Sequence, residues 1–176
     1  MQNYFFCGIK HSGKTTHAKI FGNRENLPVF DGDDLILDII DSSIREYYRN
    51  NGKKAFMDIE YSSLLNLLDN NKDAKVISLG GGICDNTKAV ELLKENGIII
   101  YIKVDEETLY DRIIRDGIPP FLEGNPREKF HTLYLNRDKI YAENANITIE
   151  LKDAPIEETA SKIEAEINKW IINNGT

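Results

Sequence analysis

Long hydrophobic runs are missing from this 176-residue chain. No apolar stretch approaches the ~20 residues that a membrane-spanning helix needs. Cysteine is scarce: Cys7 and Cys84 stand alone and far apart. That spacing excludes a disulfide framework and a Cys-x-x-Cys metal site, and fits a reducing cytosol in which buried thiols act as small hydrophobes. Positive charge is in deficit, with 22 Lys and Arg against 29 Asp and Glu and a formal net charge of -7. Nucleic-acid and membrane-surface partners, which need a broad basic face, are therefore not expected, although a local basic pocket for phosphates remains compatible. His11, His17 and His131 are dispersed without metal-ligand spacing. No repeat, low-complexity stretch or linker interrupts the chain, and Met1 leads into a strand-like stretch, not a signal peptide. These absences leave a single cytoplasmic domain over residues 1–176, with 41% hydrophobic residues to build its core.

Short β-type runs alternate with longer helical patterns. Strands are expected at Tyr4–Cys7, Pro28–Phe30, Lys75–Leu79, Ile98–Val104 and Ile147–Ile149. Runs such as Val76-Ile77-Ser78-Leu79 and Ile98 to Ile102 do not alternate strictly, the pattern of strands covered on both faces in a parallel sheet. Helices are expected at Lys14–Phe21, Ala55–Leu68, Asn86–Glu95, Glu106–Arg115, Pro126–Glu143 and Pro155–Ile172. Arg45, Arg49, Tyr47 and Tyr48 read as a solvated helix face, and Asp105-Glu106-Glu107 as a dipole-matched first turn. The alternation defines one α/β domain. Asp116 to Pro126 breaks the rhythm with glycine and proline, and a loop of this length in a compact domain suits a lid.

Gly8-Ile9-Lys10-His11-Ser12-Gly13-Lys14-Thr15 matches G-x-x-x-x-G-K-[ST] and falls where its mechanism demands, after an apolar strand and before a helix. Tight backbone turns converge N–H groups on a triphosphate, and the helix N-terminus adds partial positive charge. Lys14 would reach the β- and γ-phosphates and the Thr15 hydroxyl would ligate Mg²⁺. Gly8, Ser12, Gly13, Lys14, Thr15 and Thr16 are the candidate nucleotide contacts. Asp31-Gly32-Asp33-Asp34 closes the second strand, where open α/β sheets bind ligands. One carboxylate there suits a Mg²⁺-bound water and another the proton of an attacking hydroxyl; an Asp-rich helix cap is the plainer alternative. Gly80-Gly81-Gly82 ends the third strand and lets a ligand approach the backbone closely, or simply turns the chain.

With these motifs in this order, nearly the whole chain resembles the shikimate kinases, a P-loop family of the nucleoside-monophosphate-kinase type. The resemblance implies a five-stranded parallel sheet flanked by helices in a three-layer P-loop NTPase architecture. It also implies ATP and Mg²⁺ as cofactors, a monomer, a substrate-binding helical region over about residues 33–62, and a mobile lid over about 116–126. By similarity, Lys14 and Thr15 serve ATP and the metal, Asp31 supports the metal, and Asp33 orients or deprotonates the acceptor hydroxyl. Gly80, Gly81 and Gly82 contact substrate, Arg115 packs against adenine, and Arg137, four residues before Tyr141, binds the substrate carboxylate.

Two positions depart from the pattern. Where the family has F-R-x-x-E, this chain reads Phe56-Met57-Asp58-Ile59-Glu60; where its lid has R-P-L-L, the chain reads Pro119-Pro120-Phe121-Leu122. Loss of a charged partner at a carboxylate costs about 1.5–3 kcal/mol. Lys53 or Lys54 stand near enough in sequence to replace the first cation, and Arg127 or Lys10 the second, without the bidentate geometry of arginine in the lysines' case. Three readings follow: transfer of the ATP γ-phosphoryl group to shikimate, transfer to another small polyol or sugar acid, or nucleotide binding without transfer.

Overall fold

The computed structural model describes residues 2–115 and 117–175; Met1, Asp116 and Thr176 lie outside the described residues. The expected lead from Met1 and the first residue of the expected lid, Asp116, therefore fall outside them.

Among the described residues five strands form one sheet: β1 Asn3–Cys7, β2 Val29–Asp31, β3 Val76–Ser78, β4 Gly97–Val104 and β5 Ile147–Leu151. Their order is β2-β3-β1-β4-β5 and every pairing is parallel, as the apolar runs predict. All of Ile98 to Ile102 on β4 is buried, so both faces of that strand are covered. At the edge, β5 alternates: Ile147, Ile149 and Leu151 are buried while Thr148 and Glu150 are exposed, the mark of one covered face.

Among the described residues seven α-helices accompany the sheet: α1 Lys14–Glu25, α2 Gly32–Leu37, α3 Ile44–Asn70, α4 Thr87–Asn96, α5 Glu106–Ile114, α6 Pro126–Asn144 and α7 Ile156–Asn174. Helix α1 covers one face, its Phe21 ring packing against Tyr4 and Phe6, and α7 lies beside it. Cys7 and Ile99 point to the other face, where they meet Leu93 of α4 and Ile140 of α6. The C-terminal stripe behaves as expected, with Ile163 and Ile167 buried and Trp170 and Ile171 packed at the core's margin.

The third helix differs from the sequence expectation. It starts at Ile44 rather than Ala55, capped by Ser43 Oγ, which accepts from Glu46 N at 3.2 Å. Gly52 (φ 82°, ψ 175°) breaks it into two segments, and the polar first segment carries no apolar period to announce it. Tyr48 packs edge-on against Phe56 across the break, with ring centroids 5.6 Å apart. Asp105 also proves to be more than a first-turn charge: it caps α5, accepting from Thr108 N at 2.9 Å.

Candidate active site

The phosphate loop runs from the end of β1 into α1. Gly13 is the N-cap of α1 with φ 84° and no side-chain cap, so the first-turn N–H groups of the helix, which have no intrahelical carbonyl, face the loop's concavity. His17 braces this turn. Its Nδ1–H donates to Gly13 O at 2.9 Å, and Nε2 lies 2.8 Å from Thr159 Oγ1 on α7. Burial pushes the His17 pKa down, which keeps the brace neutral. Ser12 is buried with no hydrogen-bond partner for its Oγ. An orphaned hydroxyl inside a phosphate loop is what a bound triphosphate would satisfy. Burial also lowers the Lys14 pKa, against the opposing charges of Asp33 and then Asp31.

Beside the loop, Thr15 Oγ1 lies 2.8 Å from Ser78 Oγ and donates to Asp31 Oδ2 at 3.3 Å. The other oxygen of Asp31 accepts from Asp33 N at 2.9 Å. Asp31 thus caps α2 with one carboxylate oxygen, as the plainer sequence reading expects, and turns the other towards Thr15. Ser78, at the end of β3, was not anticipated, because a serine in a buried strand carries no signal of its own. Among the described residues no group of three or more His, Cys, Asp or Glu could hold a metal. One hydroxyl and one carboxylate suit Mg²⁺, which keeps waters and takes phosphate oxygens to complete its octahedron.

Next to these groups opens a cavity of about 420 Å³. Lys10, Lys14, Asp33, the three-glycine ridge and Arg137 line it. Although Asp33 is exposed as a residue, its carboxyl turns into the cleft; desolvation first and then the Asp31 charge raise its pKa, and Lys14 opposes them. A Cβ built on Gly80 would stand 3.2 Å from Asp33 Oδ1, one on Gly82 3.5 Å from Arg137 Nη2. Gly81 is fixed from behind by Tyr141, whose hydroxyl donates to Gly81 O at 3.0 Å while its ring stacks on Tyr101. Arg137 and Tyr141, one helical turn apart on α6, thus serve the same ridge. A wider cleft of about 650 Å³ continues past Arg137, Phe121 and Leu133 towards the lid.

Behind Gly80 sits Glu60, which sequence reasoning left unexamined. It is 6% exposed, its Oε2 accepts from Asn86 Nδ2 at 2.8 Å, and burial pushes its pKa up to about 7. Among the described residues no lysine or arginine pairs with it. Asn86 Nδ2 also donates to Met57 O at 2.8 Å, holding α3 to the turn before α4. Two of the four expected stand-in cations are occupied elsewhere: Lys53 pairs with Asp85 at 3.3 Å, and Arg127 pairs with Glu107 and lies 4.4 Å over the Tyr110 ring, whereas Lys10 lines the cavity.

A smaller cavity of about 160 Å³ lies on the far side of the loop, lined by Ser12, Gly13, Thr16, Arg112 and the turn Lys152–Ala154. Arg112 donates to His11 O at 3.1 Å and to Asp153 at 3.2 Å. The arginine at this cavity is therefore Arg112. Arg115 stands exposed at the C-cap of α5 and lines none of these cavities. Only the three-residue difference along α5 separates them, and Arg112 faces the loop because it lies one turn nearer β4. The lid segment carries Pro119 at the start of a 3-10 turn, Pro120–Leu122, with Leu122 fully buried and Phe121 exposed to the cleft.

A parallel sheet with a glycine loop after β1, a hydroxyl and a strand-end carboxylate beside it, and an acceptor-sized cavity in front of it define a P-loop phosphotransferase. The family profile for shikimate kinase matches residues 10–168. A shikimate kinase of Streptococcus gordonii is 37% identical over 158 residues, covering 89% of this chain and 94% of that protein. Another from Paracidovorax citrulli is 32% identical over 143 residues, covering 81% and 78%. Among solved structures, shikimate kinase from Acinetobacter baumannii in complex with shikimate superposes with a TM-score of 0.84 at 29% identity, covering 96% of this chain and 94% of that one. The chain belongs to the shikimate kinase family, and so to the ATP- and Mg²⁺-dependent phosphotransferases that act on a hydroxyl group. A gluconokinase from Sinorhizobium meliloti shares the fold at 14% identity and a TM-score of 0.66.

Proposed function

We propose that this protein transfers the γ-phosphoryl group of ATP to a hydroxyl of shikimate, giving shikimate 3-phosphate in the route to aromatic amino acids. One observation carries the reading: a single cavity of about 420 Å³ is lined at once by Lys14, Thr15, Asp31, Asp33, the glycine ridge and Arg137. In this reading the loop N–H groups, Ser12 Oγ and Lys14 hold the phosphates, Gly8, Gly13 and Thr16 shape the cradle, and Thr15 and Asp31 hold Mg²⁺. The bound metal supplies charge neutralisation on the β- and γ-oxygens. Asp33 accepts the proton of the attacking hydroxyl, and Arg137 with the Gly80–Gly82 backbone receives the acceptor's carboxylate. Arg112 rather than Arg115 flanks the base. Residues 116–126 act as the lid and 33–62 form the acceptor side. The two cysteines are buried free thiols, the form a reducing cytosol maintains, and we take the protein to be a cytoplasmic monomer.

The test is ADP release from Mg-ATP and shikimate, compared with Asp33→Asn. Saturable turnover is expected, with kcat lowered about 10²- to 10⁴-fold in the variant. Turnover that survives Asp33→Asn intact would remove Asp33 from the chemistry. A second reading, a kinase for another small polyol or sugar acid, draws on Met57, which leaves Arg137 as the one guanidinium at the acceptor cavity among the described residues. Higher kcat/KM on gluconate or a neutral polyol than on shikimate would favour it.

A further inference from the structure

We propose that Lys10 is a catalytic residue: its ammonium group meets the phosphoryl group in transit, between Lys14 on the donor side and Asp33 on the acceptor side. The proposal rests on the phosphotransfer reading above and deepens it.

Charge makes a second cation necessary there. The group in flight spreads negative charge over three equatorial oxygens, and fixed cations aimed at that charge are the main protein contribution to such reactions. Lys14 is committed to the loop, and Arg137 stands at the far end of the glycine ridge, beside Gly82. The remaining cations around the cleft are already engaged. Lys53 is held by Asp85, Arg112 by His11 O and Asp153, and Arg127 by Glu107 and the Tyr110 ring. Lys129 donates to the lid carbonyl of Glu123. Lys10 differs. It lines the cavity that contains Lys14 and Asp33, its residue is exposed, and no hydrogen bond or ion pair ties its side chain among the described residues.

Its position is also fixed at the root. A Cβ on Gly81 would come within 3.1 Å of Lys10 N and 3.5 Å of Lys10 Cα, so the backbone of Lys10 lies against the middle of the ridge. Ile9 before it is buried, and His11 after it takes φ 67°, with its carbonyl held by Arg112. The side chain therefore leaves a clamped backbone from a point between the Asp33 end and the Arg137 end of the ridge. Burial dominates the electrostatics of both flanking groups, lowering the Lys14 pKa and raising that of Asp33, and the Lys10 charge is felt at both as the smallest contribution. In the transfer, the bond from the γ-phosphorus to the bridging oxygen breaks, with its electron pair leaving on ADP. A bond from the acceptor oxygen to phosphorus forms, and the hydroxyl proton passes to Asp33. Lys10 keeps its protons throughout and donates them as hydrogen bonds to the moving oxygens.

The experiment compares wild type, Lys10→Met, Lys10→Arg and Arg127→Met. Steady-state kinetics with Mg-ATP and shikimate are read beside titrations of Mg-ADP with and without aluminium fluoride, a mimic of the phosphoryl group. Lys10→Met should lower kcat about 10- to 100-fold, keep the shikimate KM within about threefold, and leave Mg-ADP affinity intact, which also reports correct folding. Lys10→Arg should recover most of the rate. The tightening of Mg-ADP by aluminium fluoride should be lost in Lys10→Met alone. An unchanged kcat, a loss confined to acceptor KM, or an equal loss in Arg127→Met would overturn the proposal. Should wild type ignore shikimate yet show fluoride tightening that Lys10→Met abolishes, the acceptor reading fails and this one stands. No tightening in wild type that turns over shikimate would overturn the proposal for Lys10 and leave the acceptor reading standing.

Discussion

With Met57 one helical turn away where a cation would face it, Glu60 relies on the Asn86 amide, and its carboxyl titrates at about 7 instead of 4.5. Burial is the largest cause, followed by the hydrogen bond from Asn86, which works the other way, and then the charges of Asp33 and Asp85. The folded protein thus holds a proton on Glu60 between pH 4.5 and 7 that the unfolded chain has released. Stability from this group is full below about pH 4.5, falls as pH rises towards 7, and changes no further above it; the whole span is worth about 3 kcal/mol at most. Urea unfolding of Glu60→Gln, whose amide oxygen can still accept from Asn86, should show a flatter stability profile than wild type from pH 5 to 7. Parallel profiles would mean that Glu60 does not carry the buried proton. At the same scale, Asp31 shows how one carboxylate serves two neighbours: one oxygen caps α2 and the other accepts from Thr15 Oγ1.

Helix α1 carries the phosphate loop, so its seating on the sheet decides where Lys14 and Thr15 stand. Gly22 is the contact point. A Cβ there would lie 2.2 Å from Val29 Cγ2 and 3.2 Å from Leu27 O, inside real contact distances. Gly22→Ala improves helix propensity, yet α1 would have to lift off β2. We expect a net loss of about 1–3 kcal/mol in urea unfolding and weaker Mg-ADP binding, since the loop moves with the helix. An unchanged or raised midpoint would show that α1 yields without cost. The segment proposed as a lid is an element of a different kind. Gly117 and Gly124, with φ 105° and 94°, turn the chain on either side of a short 3-10 segment pinned by the buried Leu122. The segment is therefore held at Leu122 and at the Glu123 carbonyl, which accepts from Lys129, and it presents Phe121, not a cation, to the cleft.

Across the whole molecule, the parallel sheet gathers the carboxyl ends of β1, β2 and β3 at one edge, and the phosphate loop, Asp31 and the glycine ridge all follow from those ends. Nucleotide binding should therefore stabilise the entire fold. Mg-ATP at 100 times its Kd adds about 2.7 kcal/mol, which corresponds to a rise in Tm of about 5–10 °C for a chain of this size. Removing Mg²⁺ with a chelator should cancel most of that rise. A Tm that ignores Mg-ATP would contradict the loop's assignment, whereas a rise that ignores the chelator would contradict only the metal's part.

The sequence by itself determined the α/β alternation, the parallel sheet, the loop from Gly8 to Thr15 and the strand-end carboxylates. These depend on short-range regularities: glycine at fixed offsets, apolar runs without alternation, and a motif that occupies consecutive residues. It could not reveal the polar first half of α3, which lacks an apolar stripe, and it pointed to Arg115 where the small cavity beside the loop is lined by Arg112, three residues earlier. Only the tertiary structure decided which charges are free. Arg127 and Lys53 are neutralised by Glu107 and Asp85, while Lys10 points into the cavity. The same holds for the Ser78 hydroxyl beside Thr15, the proton on Glu60, and the His17 brace to Thr159, a partner 142 residues away. Each of these depends on distance and burial between segments remote in the chain. Such contacts exist only once the sheet has brought its strand ends together.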